Sequence, residues 1–345
     1  MVFFPDTPDL IFDLMDTSKS KYLLGKRVEG KGGNGGLHRY FNRLQTDKIT
    51  RTSKRKLFQL FTEMSMIHPI LRSSNRLSGY GNDFQTVGAW QALIMGARLD
   101  DIIPRTANLV RQFDFSSRSI VSMFNEQNHD AAIDSLHRLP WSHAETVEWY
   151  IGECELRPHN ATLACFPVQL LSLLLILKAI SEEQRISGDV RPGILTPLLS
   201  TRDSSTGDLA PIRVWLDQVQ QALGSPSQDA VFKLILRDYG ADDENRIRQG
   251  RRFRSGTEVP SPERLKKMLT NIRKELSEED YISCEISGNF ACFFQKALLK
   301  NKLIAKSFSN FDPLMPFDDW TVVANFKIDT MLPPGGLPDG RLARS

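Results

Sequence analysis

The stretch DDENRIRQGRRFRSGTEVPSPERLKKMLTNIRKE, residues 242–275, combines dense positive charge with the clearest helix pattern in this chain of 345 residues. Ten lysines and arginines against two acids between residues 246 and 274 give it a local net charge of +8. The pattern predicts a basic helix over residues 245–253. Glycine would end this helix at position 256, because it tolerates the left-handed backbone conformation that follows many helices.

A second helix is predicted to begin at Ser261, Pro262 and Glu263. Serine is a favourable N-cap, proline suits the first helical position, and an acid in the first turn complements the helix dipole. Apolar residues then recur at helical spacing, namely Leu265, Met268, Leu269 and Ile272. We therefore expect this helix to bury one face and to leave its basic residues off that face.

Residues 230–275 resemble the second half of a phage-repressor-like helix-turn-helix domain. The residues that carry the resemblance are Phe253, Gly256, Pro260, Ser261, Leu265 and Met268. In that family a recognition helix enters the major groove of DNA, and the resemblance implies that Arg246, Arg248, Gln249 and Arg252 approach bases or phosphates. At position 250 the family normally has valine or isoleucine. This chain has glycine there, which costs about 1 kcal/mol relative to alanine inside a helix.

A second basic segment runs from Lys19 to Lys56 and holds twelve lysines and arginines against two acids, a net charge of +10. The whole chain carries only +3, so the remainder carries −15. Positive charge concentrated in two places favours an anionic partner. The predicted nucleic-acid contacts are Arg246, Arg248, Gln249, Arg251, Arg252, Arg254, Lys266 and Lys267 in one segment, and Arg39, Arg43, Lys48, Arg51, Lys54, Arg55 and Lys56 in the other.

Motifs for catalysis are missing or incomplete. The glycine-rich loop at 25–36 has phosphate-loop spacing over GKRVEGKG, but Gly32 stands where serine or threonine would hold magnesium. Six histidines and four cysteines show no zinc-site spacing, and the cysteines do not predict a disulfide framework. We therefore assign no catalytic residue, no cofactor and no metal site, and leave open whether the loop attracts phosphate.

Two smaller patterns predict local features. Ser142 followed by Glu145 is typical of a capping box, with Ser142 as the N-cap of a helix. Adjacent acids such as Asp318 and Asp319 point apart on a helix or strand, so we interpret them as surface charge.

The chain as a whole is predicted to be mainly α-helical, with a multi-helix body, a basic helix-turn-helix-like segment and a small mixed α/β part near the C-terminus. Strand-like alternation predicts strands near 281–287 and 320–329. The proposed organisation is an N-terminal acidic segment with a basic loop and helix pair (1–66), a helical body (67–185), a linker (186–227), the basic and α/β unit (228–330) and a loose tail (331–345).

The start of the chain has no basic region of the kind that precedes a secretory signal, and the apolar run Leu163 to Ile180 is interrupted by polar residues. A buried helix explains that run better than a membrane span, and we expect a cytoplasmic protein that contacts no membrane.

The functional hypothesis is a non-enzymatic DNA-binding protein, a regulator or a mobile-element or phage-type accessory factor, which uses both basic segments. Duplex DNA is favoured over RNA, and the central helices would mediate self-association or recruit a protein. One alternative is a helical interaction scaffold whose basic patches bind an acidic protein partner. A second alternative is a nucleic-acid-processing enzyme or an accessory subunit of one.

Overall fold

The computed structural model of the protein describes residues 104–157, 161–187, 194–240 and 242–324. These residues form eleven α-helices. The helices are α1 (Pro104–Asn125), α2 (His129–His137), α3 (Glu145–Leu156), α4 (Ala161–Ser187), α5 (Leu195–Ser200), α6 (Pro211–Ala222), α7 (Gln228–Ile235), α8 (Asp243–Arg254), α9 (Pro262–Ile272), α10 (Glu278–Ala305) and α11 (Met315–Ala324). A short 3-10 turn, Arg273–Glu275, follows α9. The predicted mainly helical class is confirmed for this part of the chain.

The predicted mixed α/β part near the C-terminus is wrong over the described residues. Residues 281–287 lie inside α10, and the first half of the second predicted strand, up to Ala324, lies in α11. Helix α10 begins at a local signal: the Ser277 side chain accepts a hydrogen bond from the backbone N–H of Asp280, and three acids occupy the first turn. Alternating polarity over seven residues is too short a pattern to compete with this helix start and the packing beyond it.

The described residues fall into two compact units. The first unit comprises the described residues of 90–190 and 315–345 and holds α1 to α4 together with α11. The second unit comprises the described residues of 191–314 and holds α5 to α10. In the first unit α4 packs against α1, α3 and α11. Every side chain from Phe166 to Ala179 on α4 is buried, so a buried helix does explain the apolar run. None of the described helices has the length and apolar character that crossing a bilayer requires.

Helix α10 is the main packing surface of the second unit. It contacts α5, α6 and α9. The indole of Trp215 on α6 is fully buried, and its Nε1–H donates to the backbone carbonyl of Cys284, 3.0 Å away. Glycine at position 288 permits this approach, because a Cβ there would lie 2.8 Å from Nε1 of Trp215.

The interval 186–227, interpreted from its glycine, proline and serine content as a linker, contains two packed helices. Leu198 and Leu199 of α5 are fully buried, as are Ile212, Trp215 and Leu216 of α6. The sequence also predicts a short helix from Ile212 to Leu223 inside this interval, and the structure confirms it as α6. The domain boundaries drawn from the sequence stay a prediction.

All four cysteines are free thiols, and their surroundings make them unreactive. Cys154, Cys284 and Cys292 are buried and Cys165 is half-buried. Burial raises the pKa of Cys154 and of Cys284 to about 11 and that of Cys292 to about 12, and it also raises the pKa of Cys165. The thiolate is the reactive form, so these thiols are protonated at neutral pH, and burial also shields Cys154, Cys284 and Cys292 from reagents.

We therefore expect slow thiol labelling of the native protein by an aromatic disulfide reagent at pH 7.5. Four thiols should react at once after unfolding in guanidinium chloride. The native and unfolded time courses, followed by absorbance, give the two rates directly. Immediate reaction of any thiol in the native protein would contradict this description of the cysteines.

Candidate nucleic-acid interface

Helix α8 carries the basic face, and local signals set both of its ends. The Asp242 side chain accepts a hydrogen bond of 2.7 Å from the backbone N–H of Asn245, and two further acids occupy the first turn. Three arginines occupy the last turn, where positive charge complements the helix dipole. Beyond it, Gly256 has a φ of +69°, which is the predicted left-handed stop. The predicted helix over 245–253 is confirmed, with slightly wider bounds.

Helix α9 follows the prediction equally closely. Ser261 is its N-cap and accepts a hydrogen bond from the backbone N–H of Arg264, and proline occupies the first turn. The predicted apolar face is buried: Leu265, Met268, Leu269 and Ile272 are each at most 3% exposed. Lys266 and Lys267 are exposed. They make no ion pair with any residue in the described ranges.

The described residues do not show a helix-turn-helix unit. The connection from α7 to α8 covers residues 236–242. A helix-turn-helix joins its two helices through a turn of about three or four residues, which is shorter. The resemblance to the phage-repressor family therefore stays a prediction.

Glycine at position 250, the departure from that family's pattern, has a clear packing role. A Cβ at this position would lie 2.2 Å from Cγ of Phe232 on α7. The Phe232 ring is 1% exposed and lies against the α8 backbone. The absence of a side chain at Gly250 is what lets α7 and α8 pack this closely.

Two of the predicted contact residues are engaged within the protein. Gln249 is 4% exposed, and its Oε1 accepts a hydrogen bond of 3.0 Å from the Tyr239 hydroxyl. The Arg246 side chain is 21% exposed and is held by an ion pair of 2.9 Å to Asp243. It also donates to the carbonyl of Gly240. We therefore leave Gln249 and Arg246 out of the proposed interface, because both support the start and the inner face of α8.

Asp243, like Arg246, supports the start of α8. Its carboxylate forms an ion pair with Lys233 of α7 at 3.1 Å and another with Arg246 of its own helix. The hydrogen bond from Lys233, followed by the nearby charges, lowers the pKa of Asp243. The acidic end of α8 is thus tied to α7.

Three arginines remain on the outer face of α8. Arg251 and Arg252 follow Arg248 by three and four residues, so both lie one turn away from it on the same side of the helix. The side chains of Arg248 and Arg251 are 62% and 67% exposed. With Glu244, Ile247 and Ser255, the three arginines line an open cleft of about 370 Å³. We call Arg248, Arg251 and Arg252 the arginine face.

Carboxylates already contact part of this surface. Arg251 pairs with Asp229 of α7 at 2.9 Å, and Arg248 reaches Glu244 of its own helix only at 3.5 Å. Arg252 makes no ion pair with any residue that the structure describes. Such exposed pairs are worth about 0–1 kcal/mol each, so another anion can replace them.

Arg254 lies at the edge of this group. Its side chain is 34% exposed and pairs at 3.1 Å with Asp217 of α6, but it does not line the cleft. No pattern in the sequence marks Asp217 or Asp229 as neighbours of α8. They meet α8 only because three helices pack together, and no spacing along the chain signals this.

The second predicted group of contacts lies outside the described residues. It comprises Arg39, Arg43, Lys48, Arg51, Lys54, Arg55 and Lys56. The glycine-rich loop at 25–36 also lies outside the described residues.

Across the described ranges, no three His, Cys, Asp or Glu side chains come together as a metal site would require. Comparison of the chain with protein-family models, curated proteins and solved structures finds no match.

Proposed function

We propose that the chain binds nucleic acid through the arginine face of α8 and carries out no chemistry there. The observation that supports this most is the grouping of three arginine side chains around one open cleft on a single helix. Neighbouring positions on that side lie about 5–6 Å apart, which suits a surface that follows the closely spaced charges of a phosphate backbone. Each guanidinium can bind a phosphate through two parallel hydrogen bonds.

Duplex DNA is the favoured nucleic acid. The major groove of B-form DNA is about 12 Å wide and admits an α-helix. The corresponding groove of an RNA duplex is too deep and narrow for side chains to read. The arginine face would supply phosphate contacts, and Lys266 and Lys267 on α9 would add positive charge.

Replacing both Arg248 and Arg252 with alanine is expected to weaken binding to mixed-sequence duplex DNA by about tenfold at 0.1 M salt. Arg248 reaches its carboxylate partner only at 3.5 Å and Arg252 forms no ion pair with the described residues, so the melting temperature should stay within about 2 °C of the parent. Fluorescence anisotropy across a salt series measures the affinity. The slope of log K against log salt should fall in magnitude by about two, since each lost phosphate contact contributes about 0.9.

The matched control removes the same amount of charge elsewhere in the second unit. Lys302→Ala with Lys306→Ala takes away two positive charges near the end of α10, outside the arginine face. This control should bind DNA almost as tightly as the parent. A folded Arg248→Ala, Arg252→Ala variant that binds as well as the parent would remove the arginine face from the proposal.

An acidic protein is the second candidate partner, and one observation favours it. Arg251 already binds a carboxylate, that of Asp229, in an exposed geometry. An acidic protein surface would present the same group. Size-exclusion chromatography of the nucleic-acid-free protein distinguishes the two partners, because oligomers that dissociate at high salt would favour protein contact.

A further inference from the structure

Asp229 lies beside the arginine face but belongs to another helix. It occupies the first turn of α7, and its Oδ2 contacts Nη2 of Arg251 at 2.9 Å. Arg251 lines the cleft, so this carboxylate holds one of the three guanidiniums that a phosphate would bind.

The fold does not depend on this ion pair. Both partners are well exposed, with 67% of the Arg251 side chain and 44% of the Asp229 side chain accessible, and such pairs contribute little to stability. The contact between α7 and α8 rests instead on the buried Phe232 ring against Gly250. Asp229 can therefore lose its partner without disturbing the helices.

A carboxylate and a phosphate offer the same kind of acceptor to a guanidinium. Both present oxygens that match its planar fork of donors. A phosphate can make its full contact with Arg251 only after Asp229 has released it.

We propose that Asp229 is an intramolecular competitor for Arg251 that lowers the affinity of the arginine face for nucleic acid. This inference rests on the proposed function. It assigns Asp229 a role in setting affinity: the carboxylate occupies the guanidinium in the free protein and exchanges with a backbone phosphate in the complex.

The test is a double-mutant cycle on the full chain, with mixed-sequence duplex DNA as the probe at 0.1 M salt. Asp229→Asn keeps the shape of the side chain but removes its charge, and it is expected to tighten binding about threefold. In an Arg251→Ala background the same change should alter affinity by less than about 1.5-fold, because the competition is already gone.

Asp208→Asn is the matched charge control. Asp208 also forms a half-exposed ion pair, with Lys302 at 2.7 Å, and it lies outside the cleft. An equal gain in Asp208→Asn, or a gain from Asp229→Asn that persists without Arg251, would show a general charge effect and overturn the inference. No gain at all, with the parent binding DNA, would overturn it and leave the proposed function standing. If neither the parent nor any variant binds DNA at low salt, both proposals fail.

Discussion

Gly250→Ala is expected to lower the free energy of unfolding by about 2 to 3 kcal/mol, even though alanine is the better helix former. The added Cβ would lie 2.2 Å from Cγ of Phe232 and within 2.6 Å of both Cδ atoms. These atoms belong to a ring that is 1% exposed, so it has no free space into which to move. The cost of separating α7 from α8 therefore exceeds the gain of about 1 kcal/mol in helix propensity. Urea unfolding measures the difference as a shift in midpoint.

Gly152→Ala is the matched control for this prediction. Gly152 also lies inside a helix, α3, but a Cβ there would meet no described atom within 4 Å. This change should be neutral or stabilise the protein by up to about 1 kcal/mol.

A smaller side chain at Phe232 should relieve the clash. Phe232→Leu is expected to cost less in the Gly250→Ala background than in the parent, as expected for residues in contact. A Gly250→Ala variant as stable as the parent would show that the close contact between α7 and α8 is absent in solution.

Asp319→Ala is expected to cost about 3 kcal/mol of stability, measured by calorimetric or chemical unfolding. Asp319 of α11 is 5% exposed, and its two carboxylate oxygens accept hydrogen bonds from the backbone N–H groups of Glu145 and Thr146 at 2.9 and 2.7 Å. These donors belong to the first turn of α3, whose own N-cap residue, Ala144, offers no side-chain acceptor. Removing the carboxylate leaves two N–H groups at the helix start without this acceptor and takes a negative charge from the positive end of the helix dipole.

Two further substitutions separate this role from a general loss of charge. Asp319→Asn keeps one oxygen as an acceptor and should cost less than Asp319→Ala. Asp318→Ala removes an exposed carboxylate from the first turn of α11 and should cost clearly less than Asp319→Ala, about 1 kcal/mol or below. Equal losses at positions 318 and 319 would contradict the capping role of Asp319.

Asp319 also shows where local patterns mislead. The Ser142 and Glu145 pattern predicts a capping box, but α3 begins after Ala144 and Ser142 is not its cap. The acceptor instead comes from a residue 174 positions away along the chain. The interpretation of Asp318 and Asp319 as surface charge is wrong for Asp319, because its position in a packed helix buries it.

The sequence likewise predicted some residues of the candidate site correctly and others wrongly. Arg248, Arg251 and Arg252 lie exposed on the predicted helix, as the charge pattern indicated. Gln249 is buried against Tyr239. Nothing in the local sequence marks this glutamine as buried. The neighbouring α7 and the turn that follows it cover one side of α8, and this packing decides which residues of α8 are buried.

Local sequence by itself determined the mainly helical class, the C-terminal end of α8 and the start of α9. Their signals act within a single helical turn: Ser261 binds the N–H of Arg264, and Gly256 adopts a positive φ. Only the tertiary structure decided that residues 281–287 continue a helix, that Gly250 admits Phe232, and that Asp229 contacts Arg251. The physical reason is the separation along the chain over which each interaction acts. Capping and periodicity depend on neighbours three or four residues away, whereas burial and ion pairing depend on which helices the folded chain brings together.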